Sequence, residues 1–338
     1  MPGQLDASTA LVVGGSAGSL GPLTTLVAAL PEDLTATVLV TLHVGESHSR
    51  LAAILQRATA LPVAAAQDGE AARPGHVYVA PPGRHLLVGP DGLGLSSGPR
   101  VNRHRPAVDV LLASAAATFR ERTVAVVLSG VLDDGAVGAA LVARAGGSVL
   151  VQEDAEFASM PRAARRAAPD ASSLPAAELA PHAVRRLLEH RPAPSRAPEA
   201  SIMTDPLGDR TSMAGTDDLN FLGEDETRLT RLSCPECSGA MAQVDLDHIS
   251  YFVCHVGHRY APQSLAAAQA ESAESKLWVA VAALEEQSAV LAYLENSGPA
   301  RNGTDLPLTA ATATERAREL RRHARTWASA PRELGGSA

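Results

Sequence analysis

Ser16 stands at the end of a short apolar run, in the stretch ALVVGGSAGSLGP that spans residues 10–22. Ala10 to Val13 read as a buried strand. Gly14, Gly15, Ser16, Ala17 and Gly18 then make a turn whose side chains are small or absent, as a tight strand-to-helix turn requires. Reacting groups gather at such strand ends in open α/β sheets, and the backbone N–H groups of the helix start can receive an oxyanion. The same serine also fits a plain helix-capping role. A phosphate-binding loop fits less well, because the glycines lack the G-x-G-x-x-G spacing and no Lys follows.

A nucleophilic serine needs an imidazole to take its proton and a carboxylate to orient that imidazole. His43 follows the apolar run Thr37 to Leu42, and Asp133 and Asp134 follow the run Val124 to Leu128. In a parallel sheet these strand ends share one edge, so Ser16, His43 and either Asp133 or Asp134 can converge there. Asp134, just before Gly135, also fits a helix N-cap. A fourth polar segment, Asn102-Arg103-His104-Arg105-Pro106 leading to Asp109, belongs to the same set of loops. His76 and His85 read as structural or surface residues.

A second chemistry is written near the other end of the chain. All three cysteines lie in Cys234-Pro235-Glu236-Cys237 and Cys254-His255-Val256-Gly257-His258. Two knuckles joined by a hairpin over residues 244–253 would bring together Cys234, Cys237, Cys254 and one of His255 or His258. The spacing favours His258, which lets the chain wrap round one ion. Three thiolates and an imidazole suit a closed, structural zinc site, and a segment of about 30 residues needs such a metal to fold. A redox Cys-x-x-Cys would leave Cys254 and His258 unexplained.

The elements that must position these residues follow from hydrophobic patterning. Continuous apolar runs at 10–13, 36–42, 76–80, 123–128 and 148–152 predict strands buried on both faces. Alanine-rich windows at 22–29, 49–58, 107–119, 135–145 and 175–188 predict helices, and residues 86–97 with a central GPDG predict a β-hairpin. The expected fold is α/β, a doubly wound and mostly parallel sheet with a hairpin insertion, over residues 1–190. Residues 191–230, rich in Pro and then in Asp and Glu, read as a flexible acidic linker with no apolar return for ordering. Residues 231–262 are the zinc-ribbon-like module. Residues 263–330 read as a helical hairpin, a packing element for that module or a surface for docking or homo-oligomerisation.

Composition bounds the remaining choices. The chain has 338 residues, 46% hydrophobic and 20% charged, with a formal net charge of −8. That balance argues against bulk nucleic-acid binding. The first residues lack the basic start and apolar run of a secretory signal, and no 18-residue apolar stretch reads as membrane-spanning. Three cysteines without a signal fit a reducing compartment, so the expected location is cytoplasmic, without membrane insertion.

Several motifs together, in order, resemble the catalytic domain of the chemotaxis protein-glutamate methylesterases (the CheB type). They are Val12-Val13-Gly14-Gly15-Ser16-Ala17-Gly18, Leu42-His43-Val44, the run from Pro74 to Pro81, the run from Asn102 to Asp109, Leu128-Ser129-Gly130 through Gly135, and Met160-Pro161-Arg162-Ala163-Ala164. The resemblance spans about residues 8 to 190. It implies hydrolysis of glutamate side-chain methyl esters on receptor helices, with deamidation of glutamine in some members and no catalytic cofactor. It places the nucleophile at Ser16, the base at His43 and the acid at Asp134. The oxyanion is assigned to the backbone near Ala17 and Val131, and a pocket wall to Met160. Arg103, His104 and Arg105 would form a basic rim for a Glu- and Gln-rich substrate helix. Ser19 and Val131-Leu132 depart from the family pattern, which bears on oxyanion geometry and substrate choice. The cysteine segment is similar to one in stand-alone relatives. No receiver-length segment precedes Ala10 here, so control by an attached receiver is expected to be absent, and an acidic linker opposite Arg103 and Arg105 would be placed to mask the rim.

The expected activity is therefore that of a serine esterase acting on a methylated, receptor-like protein. Two other functions fit the same residues: an esterase of the same mechanism with a substrate outside chemotaxis, and a catalytically weak regulatory protein that acts through its tail.

Overall fold

The computed structural model describes residues 8–43, 50–189, 227–296 and 309–329. They divide into two compact units, with the boundary after Leu265. The centre of the first unit is a sheet of seven parallel strands: β1 (Ala10–Gly15), β2 (Thr37–Leu42), β3 (Val63–Ala65), β4 (Val77–Val79), β7 (Thr123–Val127), β8 (Ser148–Gln152) and β9 (Ser172–Leu174), in the spatial order β3-β4-β2-β1-β7-β8-β9. Every residue of β1, β2 and β7 is buried. That is why these runs are continuously apolar: each side chain, up or down, meets a helix layer.

The two layers share the strand residues by alternation. Val12, Leu39, Ala125 and Val127 face helices α3 (Val108–Phe119), α4 (Ala136–Arg144) and α5 (Ser159–Ala167), together with the hairpin of β5 (His85–Gly89) and β6 (Gly92–Ser96). Leu11, Val13, Val38, Val40, Val124 and Val126 face α1 (Leu20–Ala28), α2 (Leu51–Gln56) and α6 (Ala176–Glu189). The five central strands, five helices and the hairpin lie close to their expected positions. The edge strands β3 and β9 and helix α5 were not foreseen. The two strands are three residues long, and β3 is largely exposed, so neither carries a continuous apolar run. Helix α5 buries mostly alanine and is otherwise rich in arginine, which hides its apolar face.

An antiparallel sheet completes the first unit, with β10 (Thr227–Ser233), β11 (Ala240–Leu246), β12 (Ile249–Cys254) and β13 (Arg259–Tyr260) side by side in that order. Residues 227–230, expected in the linker, begin β10. The rest of the expected linker, from 191 to 226, lies outside the described residues. Leu246 and Ile249 pack on Ala136, Ala140, Ala163 and Ala167 of α4 and α5, and Tyr251 and Val253 join Val137. The sheet is thus seated on the layer that holds α3 and α4.

The second unit is built from α7 (Pro262–Asn296), which starts in the first unit, and α8 (Ala310–Ser329). Leu291 packs on Ala310 and Ala313, the Ser288 and Thr314 hydroxyls bond at 2.6 Å, and Arg321 pairs with Glu285. Contacts that run forward along one helix and backward along the other make the pair antiparallel. An 18-residue window of α7 reaches a mean hydropathy of 1.3 and is 11% buried, long and apolar enough to cross a membrane by length and composition alone. The reading that no such stretch exists is corrected to that extent. Its leucines and valines supply most of that hydropathy, and the polar run Glu285-Glu286-Gln287 interrupts them, so no continuous apolar stretch stands out in the sequence.

Candidate active site

Two glycines let the site close. A Cβ on Gly14 would lie 2.1 Å from Val108 Cγ1, and a Cβ on Gly15 would lie 2.7 Å from Ser19 Cβ. Their absence brings the start of α3 against the end of β1, directly beside Ser16. The Ser16 N–H donates to Ser129 O at 2.9 Å, which ties the serine to the loop after β7, and the Ser19 hydroxyl donates to Ser16 O. Ser129 holds that loop in turn. Its hydroxyl donates to Ala17 O at 2.8 Å and accepts from the Phe157 N–H at 3.0 Å, while its N–H donates to the buried Gln152 side chain at 3.0 Å.

His43 follows β2 and its N–H donates to Gly15 O. Its ring lies between serine and carboxylate, with Nδ1 3.0 Å from Ser16 Oγ and Nε2 2.6 Å from Asp134 Oδ2. The His43 and Asp134 side chains are 7% and 2% exposed. Asp133 and Asp134, open alternatives by position, separate cleanly in space. Asp134 is also not the cap of its own helix: the residue before α4 is Gly135, in a left-handed conformation and without a side-chain cap. Instead Asp134 caps α3, accepting from Val108 N–H at 2.7 Å and Asp109 N–H at 3.0 Å. The positive end of that helix favours the carboxylate.

Asp134 Oδ1 also accepts from Asn102 Nδ2 at 2.9 Å. Burial pushes the Asp134 carboxyl up, but its hydrogen bond to His43, the nearby imidazoles and the α3 amides outweigh this and hold it well below the usual carboxylate range. Asp109 moves the opposite way. Burial and the neighbouring Asp134 charge push it up, against hydrogen bonds from Gly138 N–H and Asn102. Asp133 faces away from the imidazole. It accepts from the Gln263 and Ser264 N–H groups at 2.6 and 2.9 Å and from the Ser264 hydroxyl at 2.5 Å, which caps α7.

The expected basic rim takes a different form. His104 stacks on His43, with ring centroids 3.5 Å apart and planes 11° apart. Burial, then the neighbouring His43, lowers its pKa to about 4. Arg105 is tied to the end of the β5–β6 hairpin, its guanidinium donating to Ser97 O and Gly98 O at 2.9 and 2.8 Å. Arg103 is half-buried at the positive-φ turn. Met160 is fully buried, and a Cβ on Gly130 would lie 2.0 Å from its sulfur and 2.9 Å from Ser16 Cβ. That puts the thioether behind the glycine next to the serine. The Gly130 N–H is used by Phe157 O. Ala17, next to Ser16 in the chain, and Val131, next to Gly130, are exposed, and among the described residues neither N–H has a partner. Asn102, Asp109 and Ser129 were present in the quoted motifs, but the sequence offered no reason to give them roles.

The Cys234, Cys237 and Cys254 sulfurs and a His258 ring nitrogen all lie within 4.8 Å of one another, a set able to hold a metal ion. Neighbouring ligand atoms are 3.5 to 3.7 Å apart. The edge of a tetrahedron with metal–sulfur bonds of 2.3 Å is about 3.8 Å, so the cluster has the right size. Nδ1 of His258 faces the sulfurs while Nε2 lies 3.1 Å from Glu236 Oε2. His255 lies elsewhere, its ring against Gly239.

Comparison with known proteins agrees with this architecture. A sequence profile for CheB methylesterase matches residues 11–183, just over half of the chain. A protein-glutamate methylesterase/protein-glutamine glutaminase from Xanthomonas campestris pv. campestris is 41% identical over 150 residues, covering 43% of this chain and 42% of that protein. One from Nitrobacter hamburgensis is 38% identical over 192 residues, covering 54% and 50%. The match thus spans half or less of the length of these two curated relatives. A putative member from Leptospira interrogans is 35% identical over 159 residues and 82% covered. The crystal structure of the Thermotoga maritima CheB methylesterase catalytic domain superposes with a TM-score of 0.51 at 30% identity, covering 52% of this chain and 97% of that one. The chain belongs to the CheB methylesterase family.

Proposed function

We propose that the chain is a serine esterase that removes methyl esters from glutamate side chains of a protein. The observation that carries this reading is the line from Ser16 Oγ through His43 to Asp134 Oδ2, at 3.0 and 2.6 Å. The names of the relatives support the substrate class. In this mechanism Ser16 Oγ attacks the ester carbonyl and its proton passes to His43 Nδ1, while Nε2–H stays bonded to the Asp134 carboxylate. The N–H groups of Ala17 and Val131 receive the oxyanion. His43 returns the proton to the leaving methoxide, so methanol departs and Ser16 is left acylated. Water, deprotonated by His43, then releases the glutamate carboxylate and restores the serine. With glutamine in place of the ester the leaving group is ammonia.

The rest of the chain has supporting roles in this proposal. Arg103 at the turn beside His104 attracts an acidic substrate helix. The Cys234, Cys237, Cys254 and His258 set binds a structural zinc ion, which takes no part in the reaction. Val290, Tyr293 and Leu294, exposed at i, i+3 and i+4 positions of α7, give the second unit an apolar face for another chain. The location is the cytoplasm, where the thiols stay reduced.

Fluorophosphonate labelling tests the nucleophile. An adduct on Ser16 is expected in the wild type, absent in Ser16→Ala and strongly slowed in His43→Ala. A folded wild-type protein that gives no adduct would overturn the esterase reading. Methanol against ammonia release from methylated and glutamine-containing helical peptides then separates esterase from deamidase.

A further inference from the structure

Resting on that reading of Ser16, we infer that metal occupancy of the Cys234–Cys237–Cys254–His258 cluster controls the esterase site, with Asn102 as the positioning residue that transmits it. Asn102 is 1% exposed and has a positive φ of 51°. Its side chain uses both amide hydrogens and its carbonyl oxygen. The amide NH2 donates to Asp134 Oδ1 at 2.9 Å and to Asp109 Oδ2 at 2.6 Å, and the carbonyl oxygen accepts from the Ala261 N–H at 2.7 Å. Its backbone N–H donates to Arg259 O at 2.8 Å. Two of these bonds come from residues 259–261, immediately after His258.

The Ala261 bond fixes which way round the carboxamide lies. With it, both N–H bonds face the two buried carboxylates. Without it, a flipped Asn102 would set an oxygen against Asp109 and Asp134, and the loop loses its backbone anchor at Arg259 as well. The same short segment grips the neighbouring residue from the other side, through the three bonds of Asp133 to Gln263 and Ser264. Asp134, which orients His43, is thus set between two attachments to one segment of chain.

That segment is held by the cysteine cluster. His258 turns its Nδ1 to the sulfurs and its Nε2 to Glu236 Oε2, and the Tyr260 hydroxyl donates to Glu236 Oε1 at 2.8 Å. The sheet around it has a small core, of which Ala242, Val244, Tyr251 and Val253 are the centre. Such a module owes much of its folding free energy to its metal. It therefore supplies the two-state element that coupling requires: ordered with the ion, loosened without it. The parallel sheet has its own two-layered core and remains folded in both states.

The experiment compares zinc-loaded full-length protein with protein stripped by a chelator under reducing conditions, zinc content being checked by elemental analysis. Hydrogen exchange is read along the chain, and the rate of fluorophosphonate labelling at Ser16 is read in parallel. The expected result is that stripping exposes amides 101–109 and 133–136, leaves β1, β2 and β7 protected, and slows labelling at least about tenfold, since even a small misplacement of a catalytic group can cost about 100-fold. Zinc restores both. Asn102→Ala is expected to label slowly with zinc and to lose little more without it, as partners in one path do in a double-mutant cycle. The proposal is overturned if the stripped wild type keeps its protection and labelling rate, if Asn102→Ala keeps the full response to zinc, or if the protein binds no zinc. Absence of any adduct on Ser16 with zinc bound would count against the esterase reading alone, because the exchange comparison still decides the coupling.

Discussion

The imidazole of His104 lies flat on that of His43, 3.5 Å from it and within 11° of parallel. A charged ring in that position would repel the imidazolium that His43 becomes when it holds the serine proton. Burial and the neighbouring His43 keep His104 neutral through the physiological range, with a pKa of about 4. His104 thus covers one face of the base without competing for its proton. Replacing it with Ala uncovers that face and lets water solvate His43. A fall in kcat of about three- to tenfold is expected, with KM little changed, because the contact supports the base rather than the substrate. Phe at the same position keeps the stacking and is expected to retain most of the rate. Ester hydrolysis followed by methanol release checks both variants. Equal losses for Ala and Phe would point to a polar role for His104.

Asp134→Asn separates charge from shape. The carboxylate accepts from four groups: His43, Val108 N–H, Asp109 N–H and Asn102. An amide has one oxygen, so its NH2 must face either two donors of the Oδ1 side or two of the Oδ2 side. It also favours the wrong tautomer of His43. A loss of kcat of about 10³- to 10⁴-fold is expected, with a folded protein by circular dichroism. The neighbouring Asp133→Asn is expected to lose far less, because that carboxylate bonds to Gln263 and Ser264 and not to the imidazole.

Stability should fall in mild acid through two histidines. His85 is buried, its Nε2–H bonded to Pro99 O, and burial lowers its pKa to about 4, as it does for His104. Both ionise near 6.5 in the unfolded chain. Between about pH 6.5 and 4 the unfolded state therefore binds protons that the folded state refuses. The stabilisation is fully present above 6.5 and is lost as pH falls, with a slope of at most about 1.4 kcal/mol per pH unit for each ring. Asp109, raised by burial, works against this trend at lower pH. Urea denaturation of wild type and His85→Gln isolates one ring. The variant is expected to show the shallower decline between pH 6.5 and 4, and identical slopes would show that His85 takes up its proton alike in the folded and unfolded states, which would overturn this account.

What the sequence made legible was whatever depends on local pattern. The buried strands announced themselves because Leu11 to Val13 and Val124 to Val127 must be apolar on both faces; Ser16, His43 and the pair Asp133 and Asp134 followed from those strand ends, and only the family resemblance chose Asp134 between the two. Partners that depend on distant packing were not legible. Nothing local to Asn102 shows that Ala261 will bond to it across 159 positions, and nothing near Asp134 shows that it will cap α3 rather than α4. The glycines ahead of Ser16 were read as turn residues, yet Gly14 belongs to the strand and is required by the side chain of Val108. That gives a direct test. Gly14→Ala puts a methyl into Val108, so destabilisation of about 1–3 kcal/mol is expected in thermal or urea unfolding, and pairing it with Val108→Ala should recover part of the loss.

Glu236 offers a test of the metal site that leaves all four ligand residues in place. Its carboxylate bonds His258 Nε2 with one oxygen and the Tyr260 hydroxyl with the other. A carboxylate there fixes the tautomer that leaves Nδ1 free for a metal and makes the ring a better donor. Tyr260 is fully buried, and its hydroxyl bonds Glu236 beside the Cys234 thiol. Glu236→Gln can keep one of the two bonds in its acceptor form, whereas Glu236→Ala keeps neither. Zinc affinity measured by competition with a chromogenic chelator is expected to fall about tenfold in the Gln variant and toward 100-fold in the Ala variant. Cys237→Ser, which removes a ligand, should fall further than either. If Glu236→Ala binds zinc as tightly as the wild type, the carboxylate serves Tyr260 alone and His258 is oriented by the turn at Gly257, whose φ of 98° suits glycine.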